Sequence, residues 1–389
     1  MAATSGTVAG RPQPQTTAEQ SGGPFVRHAP DGRRAMYVDT QQFGGFMGRP
    51  MVSSPGWNKG YRLLVTATTA AGTGGVISAG AGGVDAPWSS MQLVQVKDAF
   101  GTQLLTGPGF DIGYGVPKYG GQFGLDLMRD PRNSPQNTPI TAASGAFQFA
   151  TYLPFEFAKG YGVISGANAA LLPVLQINMA PATTLFSTSP SALPTLAETV
   201  DADFYWLPNT PTDPPGIGTT EQWIYQPCNP TIPSQASTLV QLPRLGGYLT
   251  GLMLDLRDST GLRIDAYPAR PKILVDGVPL VDSLFTTLQE DMAITTGIGA
   301  AAATTQTAAG TIPVARDTGV IYISRKTSLS QRELGLLDTG EIFLSTNPGT
   351  QIEVAGYPWG TVTNTPATLN AVVGQVVPSG ALVRGLPEA

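Results

Sequence analysis

Tyr248–Asp258, YLTGLMLDLRD, decides how this chain is read, because it repeats the character of Tyr61–Ala70, YRLLVTATTA, which starts 187 residues earlier. In the earlier run Tyr61, Leu63, Val65 and Ala67 share one face of a two-residue period, and Arg62, Thr66 and Thr68 share the other. In the later run Leu252, Leu254 and Leu256 alternate with Met253, Asp255 and Arg257. Leu249, Leu252, Met253 and Leu256 also fit a helical stripe. Gly246, Gly247 and Gly251 weigh against that helix, since an interior glycine costs about 1 kcal/mol relative to alanine. The stretch reads as a strand.

The segments after each run repeat too. Leu93–Lys97 (LVQVK) closes on the turn Asp98-Ala99-Phe100-Gly101, and Lys272–Val275 (KILV) closes on Asp276-Gly277. A short apolar piece of helical character comes next, Phe123–Met128 and then Leu280–Leu288, succeeded by an alternating strand, Phe147–Leu153 and then Gly319–Ser324. The order recurs without a fixed spacing, which excludes a short-period solenoid and points to two large β domains of related plan.

Composition agrees. The 47 Gly and 34 Pro make up about a fifth of the 389 residues, against roughly 12% on average. Spread between short apolar runs, they mark many strands and many turns, an all-β signature. Charged residues are only 13%, where about 25% is usual, although 41% of the chain is hydrophobic. Such a chain hides surface against copies of itself, or else is a β protein covered with Ser, Thr, Asn and Gln. Net charge is −5, unlike a general nucleic-acid binder. Residues 1–62 carry seven basic and three acidic side chains, a weakly basic stretch before an acidic body. Such a stretch can touch headgroups or an acidic neighbour, or be merely solvated. The single Cys228 excludes an intrachain disulfide framework, the first 30 residues hold no apolar signal segment, and no run of about 18 apolar residues occurs. The expectation is a soluble product of a reducing cytoplasm.

Taken in order, residues 1–56 read as an N-terminal arm and 57–215 as the first domain, with strands at 61–70, 92–97, 103–106, 147–153, 171–178 and 198–206. Long loops at 71–87, 107–121 and 129–144 separate them. Residues 216–233 fall within a Pro-rich junction containing Trp223 and Tyr225, stiff and packed between domains. The second domain, 234–389, has strands at 248–258, 272–275, 319–324, 340–345, 350–357 and 369–377. Its low-complexity segment 297–310 reads as an exposed loop.

Catalytic chemistry is hard to assemble from this composition. The sole histidine, His28, lies in the arm, so a Ser-His-Asp or Cys-His arrangement needs the arm to enter a cleft. No G-x-S-x-G or P-loop occurs, and Gly297–Ala302 meets the loose G-x-G-x-x-A form without a βαβ context. Asp201 and Asp203 share one face of a strand, while Asp255 lies on another strand and Asp258 ends it. A glycosidase would need such carboxyls across a cleft, and the plainer reading is solvated faces and turns, as for Asp98 and Asp276. No catalytic residue, metal or cofactor is expected.

The series YRLLVTATTA, LVQVKDAFG, FQFATYLPFEF, LLPVLQINMA, YLTGLMLDLRDSTG, LVDSLFTTLQEDM and GVIYISRK, with the late Asn347-Pro348 and Ile352–Tyr357, resembles the major capsid proteins of tectiviruses. That family belongs to the double jelly-roll lineage that includes the adenovirus hexon. The resemblance covers roughly residues 60–357 and is one of pattern and order. It implies an all-β fold, two jelly-roll β-sandwiches in tandem with short helices in loops and an extended N-terminal arm. It also implies homotrimers forming pseudo-hexagonal capsomers, tiled with penton and minor membrane-associated proteins. The icosahedral shell would surround an internal membrane and double-stranded DNA, with no sequence-specific nucleic-acid binding by this chain. Arg11, Arg27, Arg33 and Arg34 would then face the membrane or a neighbour, although the arm lacks the helical period of an amphipathic anchor. Trp57, Trp88, Trp223, Tyr225 and Trp359 are interface-anchor candidates, each tryptophan being equally a core residue of its own domain. Two other readings stay open: a β-sandwich carbohydrate-active enzyme and a receptor-binding or adhesin jelly-roll protein.

Overall fold

The computed structural model describes residues 30–50, 56–68, 75–77, 85–99, 101–120, 147–156, 162–165, 172–206, 219–228, 238–241, 248–296, 298–302, 315–324, 344–345, 351–360 and 366–378. In the first half the strands are β1 (Asp31–Gln41), β2 (Phe46–Pro50), β3 (Trp57–Thr68), β4 (Val76–Ile77), β5 (Met91–Lys97), β6 (Gln103–Gly107), β7 (Phe147–Pro154), β8 (Ile164–Ser165), β9 (Val174–Met179), β10 (Phe186–Thr188) and β11 (Thr195–Tyr205). In the second they are β12 (Thr219–Cys228), β13 (Thr238–Gln241), β14 (Tyr248–Asp258), β15 (Lys272–Val275), β16 (Val278–Asp282), β17 (Gly299–Ala302), β18 (Ala315–Arg316), β19 (Val320–Ser324), β20 (Leu344–Ser345), β21 (Ile352–Gly356) and β22 (Pro366–Pro378). Helices are few: a π-helical segment Gly109–Gly115 running into α1 (Val116–Tyr119), then α2 (Ala182–Leu185) and α3 (Phe285–Thr296).

Two sandwiches result. In the first roll the sheet β1-β11-β3-β7 faces strands β2, β9, β5 and β6. Tyr61, Leu63 and Val65 of β3 meet Val94, Leu105 and Ile177 of the facing strands in one apolar core. In the second roll strands β12, β22, β14 and β19 face the sheet β13-β21-β15-β16, and Leu252, Leu254 and Leu256 meet Ile273, Ile352 and Val354. This is the tandem jelly-roll plan expected from the sequence, and β14 has the bounds read for it. The turn between β15 and β16 also agrees with the reading: Asp276 and Gly277 have φ of 50° and 78°, the left-handed pair a two-residue hairpin needs.

The rolls are not separate bodies. One nine-stranded sheet runs β19-β14-β22-β12-β6-β5-β9-β2, with β20 paired to β14 off that path, so it supplies a wall to both sandwiches. The joint is β12, antiparallel to β22 over its whole length and parallel to β6 at Trp223↔Leu105 and Ile224↔Thr106. The Pro-rich segment expected to be a junction therefore contains a central strand of the shared sheet. Its prolines leave Thr219–Gln226 free of proline, long enough to span the sheet.

Other expectations change for similar reasons. The arm expected over 1–56 contains two strands. β1 pairs with β11 and β2 with β9, because Met36 and Met47 bury in the first core. Within the expected loop 107–121, residues 109–119 are helical and buried. Its glycines serve close packing: a Cβ on Gly109 would lie 2.3 Å from the Trp88 carbonyl oxygen, and one on Gly115 2.7 Å from Met253 Sδ. Within 71–87, β4 pairs with β10. Within 297–310, β17 pairs in parallel with β18 and Ile298 is buried, so that segment is not simply an exposed loop. The helical piece expected at 280–288 divides between β16 and α3. The expected helical piece Phe123–Met128 and loop 129–144 lie outside the described residues.

A glycine notch holds the joint. Trp223 on β12 stands opposite Gly374 on β22, which stands opposite Gly251 on β14. The indole lies across both: a Cβ on Gly374 would come within 2.5 Å of it and one on Gly251 within 2.8 Å. Tyr322 stacks on the indole at 6.3 Å, and Tyr119 of α1 stacks on Tyr322 at 5.9 Å. The glycines placed mid-strand thus make room for a fully buried tryptophan.

One buried acid lies inside the first sandwich. Glu198 of β11 points inward beside Leu196 and Val200, and its Oε2 accepts a hydrogen bond of 3.2 Å from Gln41 Nε2. Burial, with Asp39 nearby, pushes its carboxyl up to about 8, only partly offset by the Gln41 bond.

Gly374→Ala should lower stability by about 1–3 kcal/mol through overpacking, and Trp223→Ala by about 3–5 kcal/mol through the cavity it leaves. Urea titration reads both, and a neutral Gly374→Ala would remove the notch as a structural element. For Glu198 the folded state binds the proton more tightly than the unfolded one. Its stabilising contribution is complete below pH 4.5, declines as pH rises to about 8, and is flat above. Relative to Glu198→Gln, wild type should lose a few kcal/mol, to order of magnitude, across that window. Parallel stability curves for the two proteins would contradict the assignment.

Candidate functional site

The inner sheet of the second roll is buried on both faces. While Leu252, Leu254, Ile321 and Val373 face their own sandwich, Met253, Tyr322 and Val372 join the core of the first roll. Asp255 and Arg257 continue the Met253 face, so the alternation delivers a carboxylate and a guanidinium into the seam between the rolls.

They are met there from the first half. Arg257 Nε donates to Asp255 Oδ2 at 2.5 Å, its Nη1 lies 2.8 Å from Asp85 Oδ2, and Nη1 also donates to the Gly261 carbonyl at 3.0 Å. Arg263 Nε lies 3.2 Å from Asp85 Oδ1, and the guanidinium covers the Phe110 ring at 4.1 Å. Deeper in, Lys118 Nζ donates to Asp317 Oδ2 at 2.7 Å and to Tyr114 Oη at 2.8 Å. The Tyr119 hydroxyl donates to Asp317 Oδ2 at 2.8 Å and accepts from the Asp317 backbone N–H at 2.9 Å. Arg316 forks onto both oxygens of Asp265 at 2.8 and 2.5 Å, and its Nη1 also donates to the Val320 carbonyl. Asp85 and Lys118 come from the first half and Arg257, Arg263 and Asp317 from the second, so these pairs tie roll to roll.

Electrostatics track the pairing. Burial alone would raise the Asp317 carboxyl, but Lys118 and Arg263 more than offset that and hold it below the ordinary carboxylate range. Burial draws the Lys118 ammonium down, with Asp317 restoring only part. Asp255 stays raised by burial despite Arg257 and Arg263. Asp111, on the π-helical segment, is pushed well up, first by burial and then by Asp255 beside it, with Arg257 a weaker counterweight. A cleft of about 400 Å3 opens at the rim of this seam, lined by Asp85, Phe110, Asp111, Tyr225 and Arg257 among others.

The residues singled out from sequence fall elsewhere. Trp57, Trp88, Trp223 and Trp359 are all interior, packed within this chain, because each sits on or beside a strand whose inward face is apolar. As anchors for another chain they are corrected by that burial. Tyr225 is half-buried on the wall of the cleft. Arg33 and Arg34 lie on β1, and Arg33 Nε pairs with Asp203 at 2.8 Å, which Arg62 also reaches at 2.6 Å. The Asp201/Asp203 face is thus an ion-pair face across β11. Arg11, Arg27 and His28 lie outside the described residues. Exposed apolar side chains mark a different surface: Val38 on β1, Phe46 on β2 and Trp206 after β11, then Val278, Leu284, Ile294 and Tyr357 on the second roll. Among the described residues no group of three or more His, Cys, Asp or Glu could hold a metal ion, and no helix is long and apolar enough to cross a membrane.

Removing Lys118 leaves Asp317 buried without its ammonium. Lys118→Met should therefore cost about 3–5 kcal/mol, and adding Asp317→Asn should recover part of the loss. A double-mutant cycle by chemical denaturation measures this, and strictly additive costs would show that the pair is not coupled.

No protein-family model matches this chain, and no curated protein sequence matches it. Solved structures do. A chain of Sulfolobus turreted icosahedral virus is 12% identical with a TM-score of 0.60, covering 92% of this chain and 94% of that one. The PBCV-1 virus capsid model is 12% identical at a TM-score of 0.58, over 91% and 96%. The Faustovirus major capsid protein is 8% identical at 0.52, over 90% and 91%. At these identities the likeness establishes a shared fold, and it spans both rolls of each chain.

Proposed function

We propose that this protein is a structural capsid subunit and not an enzyme. The observation that carries the reading is the correspondence of both rolls, over nine-tenths of the chain, with viral capsid proteins. A single matching sandwich would support far less, since sandwiches serve many functions. In this reading the chain forms homotrimers with pseudo-hexagonal outline, which tile an icosahedral virion shell around an internal membrane and a double-stranded DNA genome. Penton and minor membrane-associated proteins complete the shell, and the subunit is made soluble in the host cytoplasm.

Surface chemistry supports assembly. A 13% charged fraction is low for a free monomer, and nine of the 49 charged side chains lie in the seam. Among the described residues β1 and β2 are edge strands and carry exposed Val38 and Phe46, while Trp206 adjoins the Asp31 end of β1 through its N–H bond to the Pro30 carbonyl. Unpaired strand edges bearing large apolar side chains are what a partner covers. These take over the anchoring role expected of the tryptophans, with Tyr225 kept. Arg11, Arg27, Arg33 and Arg34 make the N-terminal stretch basic in sequence, and in this reading it meets headgroups or a neighbouring capsomer.

Light scattering on a size-exclusion column across a range of salt tests the reading. The expected species has three chains and resists salt, because its contacts are mainly apolar. A monomer throughout would overturn it. Removing residues 1–29 while keeping β1 should leave trimers intact and impair closure around membrane, and normal membrane-containing particles would remove the arm's role.

A further inference from the structure

The seam holds five carboxyls, Asp85, Asp111, Asp255, Asp265 and Asp317, against four cations, Lys118, Arg257, Arg263 and Arg316. Asp265 takes Arg316, and Asp317 takes Lys118. Asp85 and Asp255 share Arg257 and Arg263. Asp111 is left over. It is 2% exposed, its Oδ1 has no hydrogen-bond partner, and the residue lines the cleft at the seam's rim.

The charged groups facing Asp111 are Asp255 and Arg257 from β14, Asp85 from the turn before β5, and Arg263 from the connection after β14. Two are negative and two positive, so they nearly cancel and none is free to serve as its counter-ion. With the cleft empty, burial favours the neutral acid. A cation entering the cleft completes a fifth pair. Phe110, Met91 and Pro181 offer apolar wall for a methylene stem, and Gln92, Asn370 and Tyr225 offer polar atoms for remaining N–H donors. The absence of a metal-ligand group among the described residues favours an organic cation over a metal ion.

We propose that this cleft binds one ammonium or guanidinium group, with the Asp111 carboxylate as its counter-charge. On binding, the Asp111 carboxyl gives up its proton to solvent and the resulting carboxylate holds the cation, so one proton leaves for each group bound. The inference does not depend on the capsid reading.

Calorimetric titration of the purified protein with arginine amide, and separately with putrescine, in two buffers of different ionisation enthalpy tests it. Saturable binding with release of one proton is expected, strengthening up to about tenfold per pH unit while the free acid stays protonated. Asp111→Asn, which has the shape of the neutral acid, should keep its melting temperature and bind at least tenfold more weakly. Gln92→Ala, on the exposed rim, should weaken binding without unfolding. No saturable binding of either probe, binding without proton release, or equal binding by Asp111→Asn would each overturn the proposal. Repeating the titration on assembled protein separates two sources of the group. Lost probe binding would assign the site to a side chain of an adjoining copy, and retained binding to a free amine.

Discussion

One constraint governs this molecule: the sheet that joins the rolls has no solvent face where they meet. Strands β14, β19 and β22 send alternate side chains into two different cores, with Ile321 and Val373 on one side and Tyr322 and Val372 on the other. An ordinary antiparallel sheet puts one face in water and relaxes the demands on that face. Here every residue on either face must pack or pair. The only strand hydrogen bonds carrying the sheet from one roll into the other are those between β12 and β6, registered at Trp223 and Ile224, among the described residues. So short a ladder cannot by itself set how two sandwiches lie. Trp223 in its glycine notch, the stacked Tyr322 and Tyr119, and the ion pairs across the seam supply the rest.

Burying ions is an inefficient way to gain stability. Taking each from water costs several kcal/mol, and well-packed apolar residues often do as well. What the seam adds is discrimination among placements. Leucines tolerate sliding past one another at little cost, whereas a shift that parts Asp85 from Arg257 and Arg263, or Lys118 from Asp317, leaves charges dry and unpaired. The penalty rises over an ångström or two of misplacement, which fixes the angle between the rolls.

Strands were legible because period two is a local property. β14 and β15 match their reading residue for residue, and β3 buries Tyr61, Leu63, Val65 and Ala67 as the alternation required. Two kinds of feature were not legible. Glycine and proline density reads as loop, yet in Gly109–Gly115 the glycines let the helical segment close on Trp88, Met91 and Met253, and β12 is a central strand that carries Pro227 near its end. The seam was hidden for another reason. Its members run from Asp85 to Asp317, and no spacing in a single sequence announces that they converge. Asp255 and Arg257 carried the available hint: charged residues on the second face of a run whose flanking turns mark it as central. Read as solvated, that face is in fact the meeting surface of the two halves. For Trp57, Trp88, Trp223 and Trp359 the sequence left core and interface equally open, and their burial favours the core, since large apolar residues fill cores before they serve interfaces.

The charge poverty of the chain can then be placed more closely. Most of the charged side chains in the seam scarcely reach solvent, Arg263 and Asp317 being 6% and 2% exposed. Those side chains add little charge to the surface of a chain that is only 13% charged. Charge is what keeps a free protein apart from its copies, and it has been moved inward, where it orients the rolls. What remains outside includes Val38 and Phe46 on strands that end their sheets among the described residues, with Trp206 beside the Asp31 end of β1. A monomer with such edges invites pairing with any strand that approaches. The same edges on a subunit whose rolls are rigidly set meet only a partner of matching shape. Internal ionic order and external apolar edges are thus two sides of one arrangement: the first makes the second specific.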